Sequence, residues 1–295
     1  MGPLVLPQTV STSDNRTRIK NYYLEETNDL EMPTQPLKAL KSSVCTDVIL
    51  KTIIDHFAVN DAPIDVKEMA ESIEFYLRTR RRLMGAAKKR NAKNVRIAKE
   101  ISKDENENED STGGAKRSPT IIHVYDLCSG HGLTGMLFAA CNPPNDDRIV
   151  KTYLVDMVEP PSHEILRDLI AEVCPWIKSH DTVQFSACPL ESFAIQETEI
   201  VCPIVIATHA CGTLTDKVLE EAVKMEACAI AAMPCCYTGT DKGTPYGIKR
   251  AMGVSWAADI RRTYYLDDHN FHTDYSTIPL EITPLNRIIV AEDRS

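Results

Sequence analysis

No stretch of this sequence reaches 18 uninterrupted apolar residues, so a membrane-spanning helix is not expected. The opening Met1-Gly2-Pro3-Leu4-Val5-Leu6-Pro7 lacks the charged flank and long apolar core of a secretory leader. Paired C-x-x-C spacing is absent too, and ten cysteines spread from Cys45 to Cys236 of a 295-residue chain are not the disulfide framework of a small secreted domain. Together these absences predict an intracellular protein, cytoplasmic or nuclear, with reduced thiols, no membrane association and no obvious protein partner. The chain also shows no internal repeat and no catalytic triad. What remains is a hydrophobic fraction of 43%, enough to bury a substantial core in one large α/β domain with an N-terminal extension.

Charge is scarce in one sign and concentrated where it occurs. Residues 78–99 hold ten Lys or Arg and no acid, against a net charge of −9 for the whole chain, which leaves −19 outside that stretch. The first 45 residues carry Pro3, Pro7, Pro33 and Pro36 with little periodicity and read as an irregular arm. A helical extension is expected over 46–101. Its first helix, with Val48, Ile49, Ile53 and Phe57 at helical spacing, is capped by Thr46; its second starts near Asp65 and runs through Ile73, Tyr76 and Leu77 into the basic segment. Residues 102–119, with an acidic run followed by Ser111-Thr112-Gly113-Gly114, are expected to be a mobile, solvated loop.

From Thr120 to the end, strand and helix patterns alternate, which predicts a mostly parallel sheet covered on both faces. Strands are expected at 121–125, 152–155, 183–188, 204–207 and 229–233. Helices follow at 133–140, 162–173, 216–225 and 256–266, with Thr213 and Asp216 forming a capping box for the third. A terminal hairpin is expected from 271–278 and 286–291.

The most informative segment is Asp126-Leu127-Cys128-Ser129-Gly130-His131-Gly132, which reads D-x-x-x-G-x-G between a β-branched run and a helical one. Glycines there let the backbone approach a ligand without a Cβ in the way, and the helix start presents unpaired amides. Gly130-x-Gly132-x-x-Gly135 nominally matches a dinucleotide fingerprint. An acid four residues before the first glycine suits a cationic ligand better than a pyrophosphate.

That acid and those glycines resemble the opening motif of class I S-adenosylmethionine (SAM) methyltransferases. The resemblance implies an α/β, Rossmann-like seven-stranded sheet with its last strand antiparallel, carrying an N-terminal helical extension, and SAM as cofactor. Asp126 would face the methionine end, with Cys128, Gly130 and Gly132 in the turn. Asp156, 26 residues after Gly130, would accept the ribose hydroxyls, with Glu159 as its rival; Leu190 would line the adenine pocket, and Thr208 would lie near the transferring methyl.

In the implied strand order, Cys128, His209, Cys211, Cys235 and Cys236 share one rim of the sheet. Three interpretations stay open for them. The thiols and imidazole shape the pocket; His209 or Tyr237 positions or deprotonates the acceptor; or His209, Cys211, Cys235 and Cys236 ligate zinc. Adjacent cysteines seldom both ligate one ion, so no metal is expected. The H-A-C-G-T-L-T-D and P-C-C segments and the closing Ile282 to Arg287 resemble a methyltransferase subgroup related to the eukaryotic tRNA 2′-O-methyltransferases. The similarity runs from Thr120 to Glu292, without the zinc modules of those enzymes.

The acceptor that this implies is RNA, possibly tRNA, with Arg80, Arg81, Lys88, Lys89, Cys235, Cys236 and Arg287 on its side of the site. If helical, the basic segment carries charge on nearly all faces, which excludes an amphipathic membrane helix and fits phosphate contact. The competing interpretation is a solvated helix, partly neutralised by the acidic 104–110 run. Methyl transfer from a sulfonium needs alignment above all, so a dedicated base is required only for an acceptor that is a poor nucleophile while protonated.

Overall fold

The computed structural model describes residues 47–105, 119–193, 202–240 and 242–294. The expected arm 1–45, the Thr46 cap and most of the acidic segment, 106–118, lie outside the described residues. The chain runs α1 (Val48–Val59), α2 (Val66–Glu105), β1 (Thr120–Leu127), α3 (Leu133–Ala140), β2 (Arg148–Asp156), α4 (Pro161–Val173), α5 (Trp176–Ser179), β3 (Val183–Ala187) and a 3-10 turn at Leu190–Ser192. It continues through β4 (Ile204–Ala207), α6 (Leu214–Lys224), β5 (Ala229–Ala232), α7 (Tyr246–Asp268), β6 (Phe271–Thr277) and β7 (Arg287–Asp293).

The seven strands form one sheet in the order β3-β2-β1-β4-β5-β7-β6. β7 alone runs against its neighbours, pairing antiparallel with both β5 and β6, which is the expected Rossmann-like methyltransferase architecture. β4 and β5 are buried at every position because helices cover both faces, and their sequences, IVIA and AIAA, are correspondingly apolar throughout. One face packs under α1 to α4, the other under α6 and α7. β1 to β5 therefore end on one rim, at Leu127, Asp156, Ala187, Ala207 and Ala232.

The α2 helix is 40 residues, about 60 Å, long. Val66, Met69, Ala70, Ile73, Tyr76, Leu83 and Ala87 make a buried stripe on it, and they share one core with the sheet. Tyr76 meets Phe138 of α3 edge to face at 5.0 Å. The stripe corrects the expectation of a helix with basic residues on nearly all faces: the long side chains of Arg and Lys flank an apolar seam. α2 also runs on through residues 102–105, which were expected to be loop.

Two further expectations are corrected. Thr213 caps α6 with no side-chain bond, because Asp216 turns away to Arg261 and Arg262 at 2.9 and 3.0 Å, so there is no capping box. The helix expected at 256–266 starts ten residues earlier, at Tyr246, and is broken at Gly253, whose φ of 80° and ψ of 166° no helix accommodates. Asp47 caps α1 through its carboxylate to the Leu50 amide at 3.2 Å.

Candidate active site

The turn after β1 is built from left-handed residues: Cys128 (φ 63°), Gly130 (56°) and Gly132 (81°). At Gly132 a Cβ would lie 2.4 Å from the buried Leu154 side chain, whereas at Gly130 it would meet nothing within 4 Å. Gly132 thus lets the chain turn tightly over β2, and Gly130 leaves open space beside the backbone.

Two carboxylates brace this turn from below. Asp156 Oδ2 accepts from the Gly130 amide at 2.8 Å and its Oδ1 from the Met157 amide at 2.7 Å. Each oxygen keeps a second lone pair, so the half-buried carboxylate retains capacity for a diol. Glu159 is exposed and lies 3.8 Å from His163. Asp126, 1% exposed, accepts from the Gly135 amide at 2.8 Å through Oδ2, while its Oδ1 is buried without a partner among the described residues. Burial pushes its carboxyl up to about 7, against the Gly135 bond and with help from the Asp156 charge. A buried, unsatisfied carboxylate oxygen is costly alone and favourable once a cation reaches it.

The other expected cofactor residues are present with defined tasks. Burial, then the charges of Asp156 and Asp126, push the Cys128 thiol up to about 12, so it stays neutral and behaves as a small apolar wall. Leu190 is buried in the 3-10 turn after β3. Thr208 donates to Thr134 Oγ1 at 2.8 Å, tying the end of β4 to α3.

His209 follows Thr208 and carries a second orphan: its Nε2 is buried with no partner among the described residues. Burial holds the imidazole below its usual range, opposed by Glu71 and Glu68 of α2 and assisted by His131 and Lys67. It is therefore neutral near pH 7. Beside it, His131 Nδ1 accepts from the Leu133 amide at 3.2 Å, and its Nε2 lies 3.2 Å from Glu68 Oε1. Glu71 is held by Lys67 at 2.8 Å. The sequence offered His131 inside the glycine segment, but nothing local ties it to Glu68; only the docking of α2 brings them together.

Tyr237 and Arg287 take other work. Tyr237 donates to Asp259 Oδ2 at 2.7 Å and accepts from Arg287 at 3.1 Å. Burial and the Asp259 charge hold its phenol well above the usual tyrosine range, which is the wrong direction for a base. Arg287 pairs with the fully buried Asp259 at 2.7 Å and stacks on Trp256 at 4.0 Å. Its charge is spent inside the molecule. Arg262, also buried, bonds Asp216, Asp259 and the Gly212 carbonyl.

The basic segment divides. Arg80 pairs with Asp47 at 2.8 Å and lies over Tyr76. Arg82 bridges Asp274 and Glu292, and Arg90 pairs with Asp293, so β6 and β7 supply acids to this segment. Arg81, Lys88 and Lys89 are exposed, Lys89 at 3.8 Å from Glu292. Cys211 is exposed and Cys235 and Cys236 half-buried, their thiol sulfurs all within 4.8 Å of one another, with His209 outside that group.

No curated protein matches the chain in sequence. Among solved structures, M. capricolum TrmK in complex with S-adenosyl-homocysteine aligns at 10% identity over 61% of this chain and 66% of its own, TM-score 0.36. A geranyl diphosphate methyltransferase in complex with SAM aligns at 12% identity over 61% and 81%, TM-score 0.38. This chain thus spans just under two thirds of the TrmK length. A family model described as "Methyltransferase domain" matches residues 69–242, opening inside α2 well before Thr120, in keeping with a helix that shares the core of the sheet. That match takes in more than half of the chain, including the glycine turn and the ends of β1, β2, β4 and β5, and by it the chain belongs to the methyltransferase-domain family.

Proposed function

We propose that the protein is a SAM-dependent methyltransferase whose cofactor lies across the turn after β1 and whose acceptor approaches beside His209. One observation carries this. Among the buried side-chain polar atoms left without a partner in the described residues, three surround that turn: Asp126 Oδ1, Ser129 Oγ and His209 Nε2. Native interiors leave few such atoms, and a cluster of them fits a polar ligand that completes them.

The residues suit SAM in particular. Asp126 offers its free oxygen to a cationic methionine end, Asp156 its remaining lone pairs to a ribose diol, Gly130 a backbone surface, and Leu190 an apolar wall. The cofactor supplies an activated methyl group on a sulfonium, so the chain need only align the acceptor and remove its proton. Neutral His209 can accept that proton, and the carboxylates of Glu68 and Glu71 stabilise the imidazolium that forms. The acceptor class that uses this arrangement is an O–H or N–H group that loses a proton as the new bond to carbon forms.

For the acceptor, the reading is RNA, in line with the resemblance to tRNA 2′-O-methyltransferases. Supporting it are the exposed Arg81, Lys88, Lys89, Lys93 and Arg96. At 1.5 Å per residue they lie roughly 20–40 Å along α2 from Glu68, a span for a polymer rather than a mononucleotide. Calorimetry with SAM tests the cofactor, and absence of binding by folded protein refutes it. Methyl-labelled SAM offered to RNA, protein and metabolite fractions tests the acceptor; label entering only protein or metabolites overturns the RNA assignment.

A further inference from the structure

Outside the cofactor turn, the turns after β4 and β5 bring Cys211, Cys235 and Cys236 together, with their sulfurs all within 4.8 Å of one another. Adjacent cysteines seldom share an ion, but here the fold already holds both Cys235 and Cys236 sulfurs within that distance of Cys211, and we propose that the three thiolates bind a single thiophilic d10 metal ion of the zinc class, stapling the two turns together and leaving one coordination position open at the rim.

The spacing is close to what such an ion needs. A tetrahedral centre with metal–sulfur bonds near 2.3 Å sets its sulfurs roughly 3.8 Å apart, so each sulfur moves inward by only about half an ångström. The frame is rigid before any ion arrives. The Gly212 amide donates to the Cys236 carbonyl at 3.2 Å, and Gly212, at φ +59°, sits so close to the next turn that a Cβ would lie 2.3 Å from the Thr238 carbonyl oxygen. The Gly212 carbonyl is held by the buried Arg262 at 2.8 Å, and Arg262 is fixed in turn by Asp216 and Asp259. The fully buried ion pair therefore positions the backbone that carries Cys211.

The donor set selects the metal. Three sulfurs, with no imidazole or carboxylate in the group, favour soft and borderline ions over calcium or magnesium. Exposed Cys211 provides both an entry path and the solvent-facing side on which a fourth ligand, water, sits. Binding releases the protons held by the thiols and involves no redox change.

Metal analysis of the full-length chain, purified under reducing conditions and supplied with zinc, is expected to give one ion per chain. Substitution by cobalt(II) is expected to produce thiolate-to-cobalt charge-transfer absorption in the near ultraviolet. Cys211→Ser and Cys236→Ser should each remove most of the metal, whereas Cys141→Ser, distant from the cluster, should keep it. Less than about a tenth of an equivalent of zinc together with no cobalt charge-transfer band overturns the proposal, as does stoichiometric zinc retained in Cys211→Ser. Reading the spectrum on the unsubstituted chain keeps the test valid even where a variant fails to fold. A disulfide among the three cysteines in the reduced preparation, found by thiol titration, also overturns it.

Discussion

Two regions of the rim, built from the same kinds of residue, behave oppositely. Around the ends of β1, β2 and β4, carboxylates and imidazoles are buried yet keep unused hydrogen-bonding capacity, as at Asp126 Oδ1 and His209 Nε2. Around α7 and β7, the buried Asp259 and Arg262 and the half-buried Arg287 and Tyr237 are bonded into one network. Unspent capacity marks where a ligand belongs, and spent capacity marks scaffold, because a buried polar group must be satisfied by something. Tyr237 and Arg287, chemically plausible as site residues, fall on the scaffold side for that reason.

The sharpest way to break this contrast is Asp259→Ala. It strands two guanidiniums, one of them fully buried, and should cost about 3–5 kcal/mol of stability in denaturant unfolding; a loss below 1 kcal/mol would put Asp259 outside the scaffold. Next, His209→Gln should lower the methyl-transfer rate by at least about a hundredfold while leaving SAM affinity within about twofold. If affinity falls in step with rate, His209 holds cofactor instead of moving a proton.

Asp126→Asn keeps an oxygen for the Gly135 amide and removes the charge. SAM affinity should fall by about 10–100-fold, the worth of a charge-assisted bond, with little change in melting temperature. The pH dependence follows from the same group. Burial pushes its carboxyl from the ordinary carboxylate range up to about 7, so the folded state holds an extra proton between the two, and stability from this group declines as pH rises across that window. Ligand binding runs the other way: a cationic ligand favours the carboxylate, so SAM affinity should strengthen as pH rises toward 7, level off above it, and lose this dependence in Asp126→Asn. An identical pH profile in both proteins would assign the titration elsewhere. The smallest effect is reserved for the surface: Lys88→Ala with Lys89→Ala should leave SAM binding unchanged and lower the salt slope of RNA binding by about two. An unaltered slope would remove these lysines from the RNA path.

The sheet was legible because its signals are local. A strand such as Ile204–Ala207, buried on both faces, must be apolar at every position, and a glycine at positive φ, Gly212, follows it in a turn. Asp126 and Asp156 were legible for the same reason, since each lies at a strand end beside the turn it braces. The acceptor side was not. Glu68 and Glu71 look like ordinary surface acids of a helix, and Arg80, Arg82 and Arg90 like an open basic face. Their partners, His131, Asp47, Glu292 and Asp293, are as much as 210 residues away in sequence.

By itself, then, the amino-acid order determined the alternation of strands and helices, the glycine turn and the two acids that flank it, all set by backbone sterics and burial patterns within a few residues. The tertiary structure alone decided which polar groups remain unsatisfied. It docked α2 beside His209, closed Tyr237 and Arg287 into an ion-paired network, and gathered three cysteines from two turns. Whether a polar side chain is spent or available depends on the partners that folding delivers, and those come from distant parts of the chain.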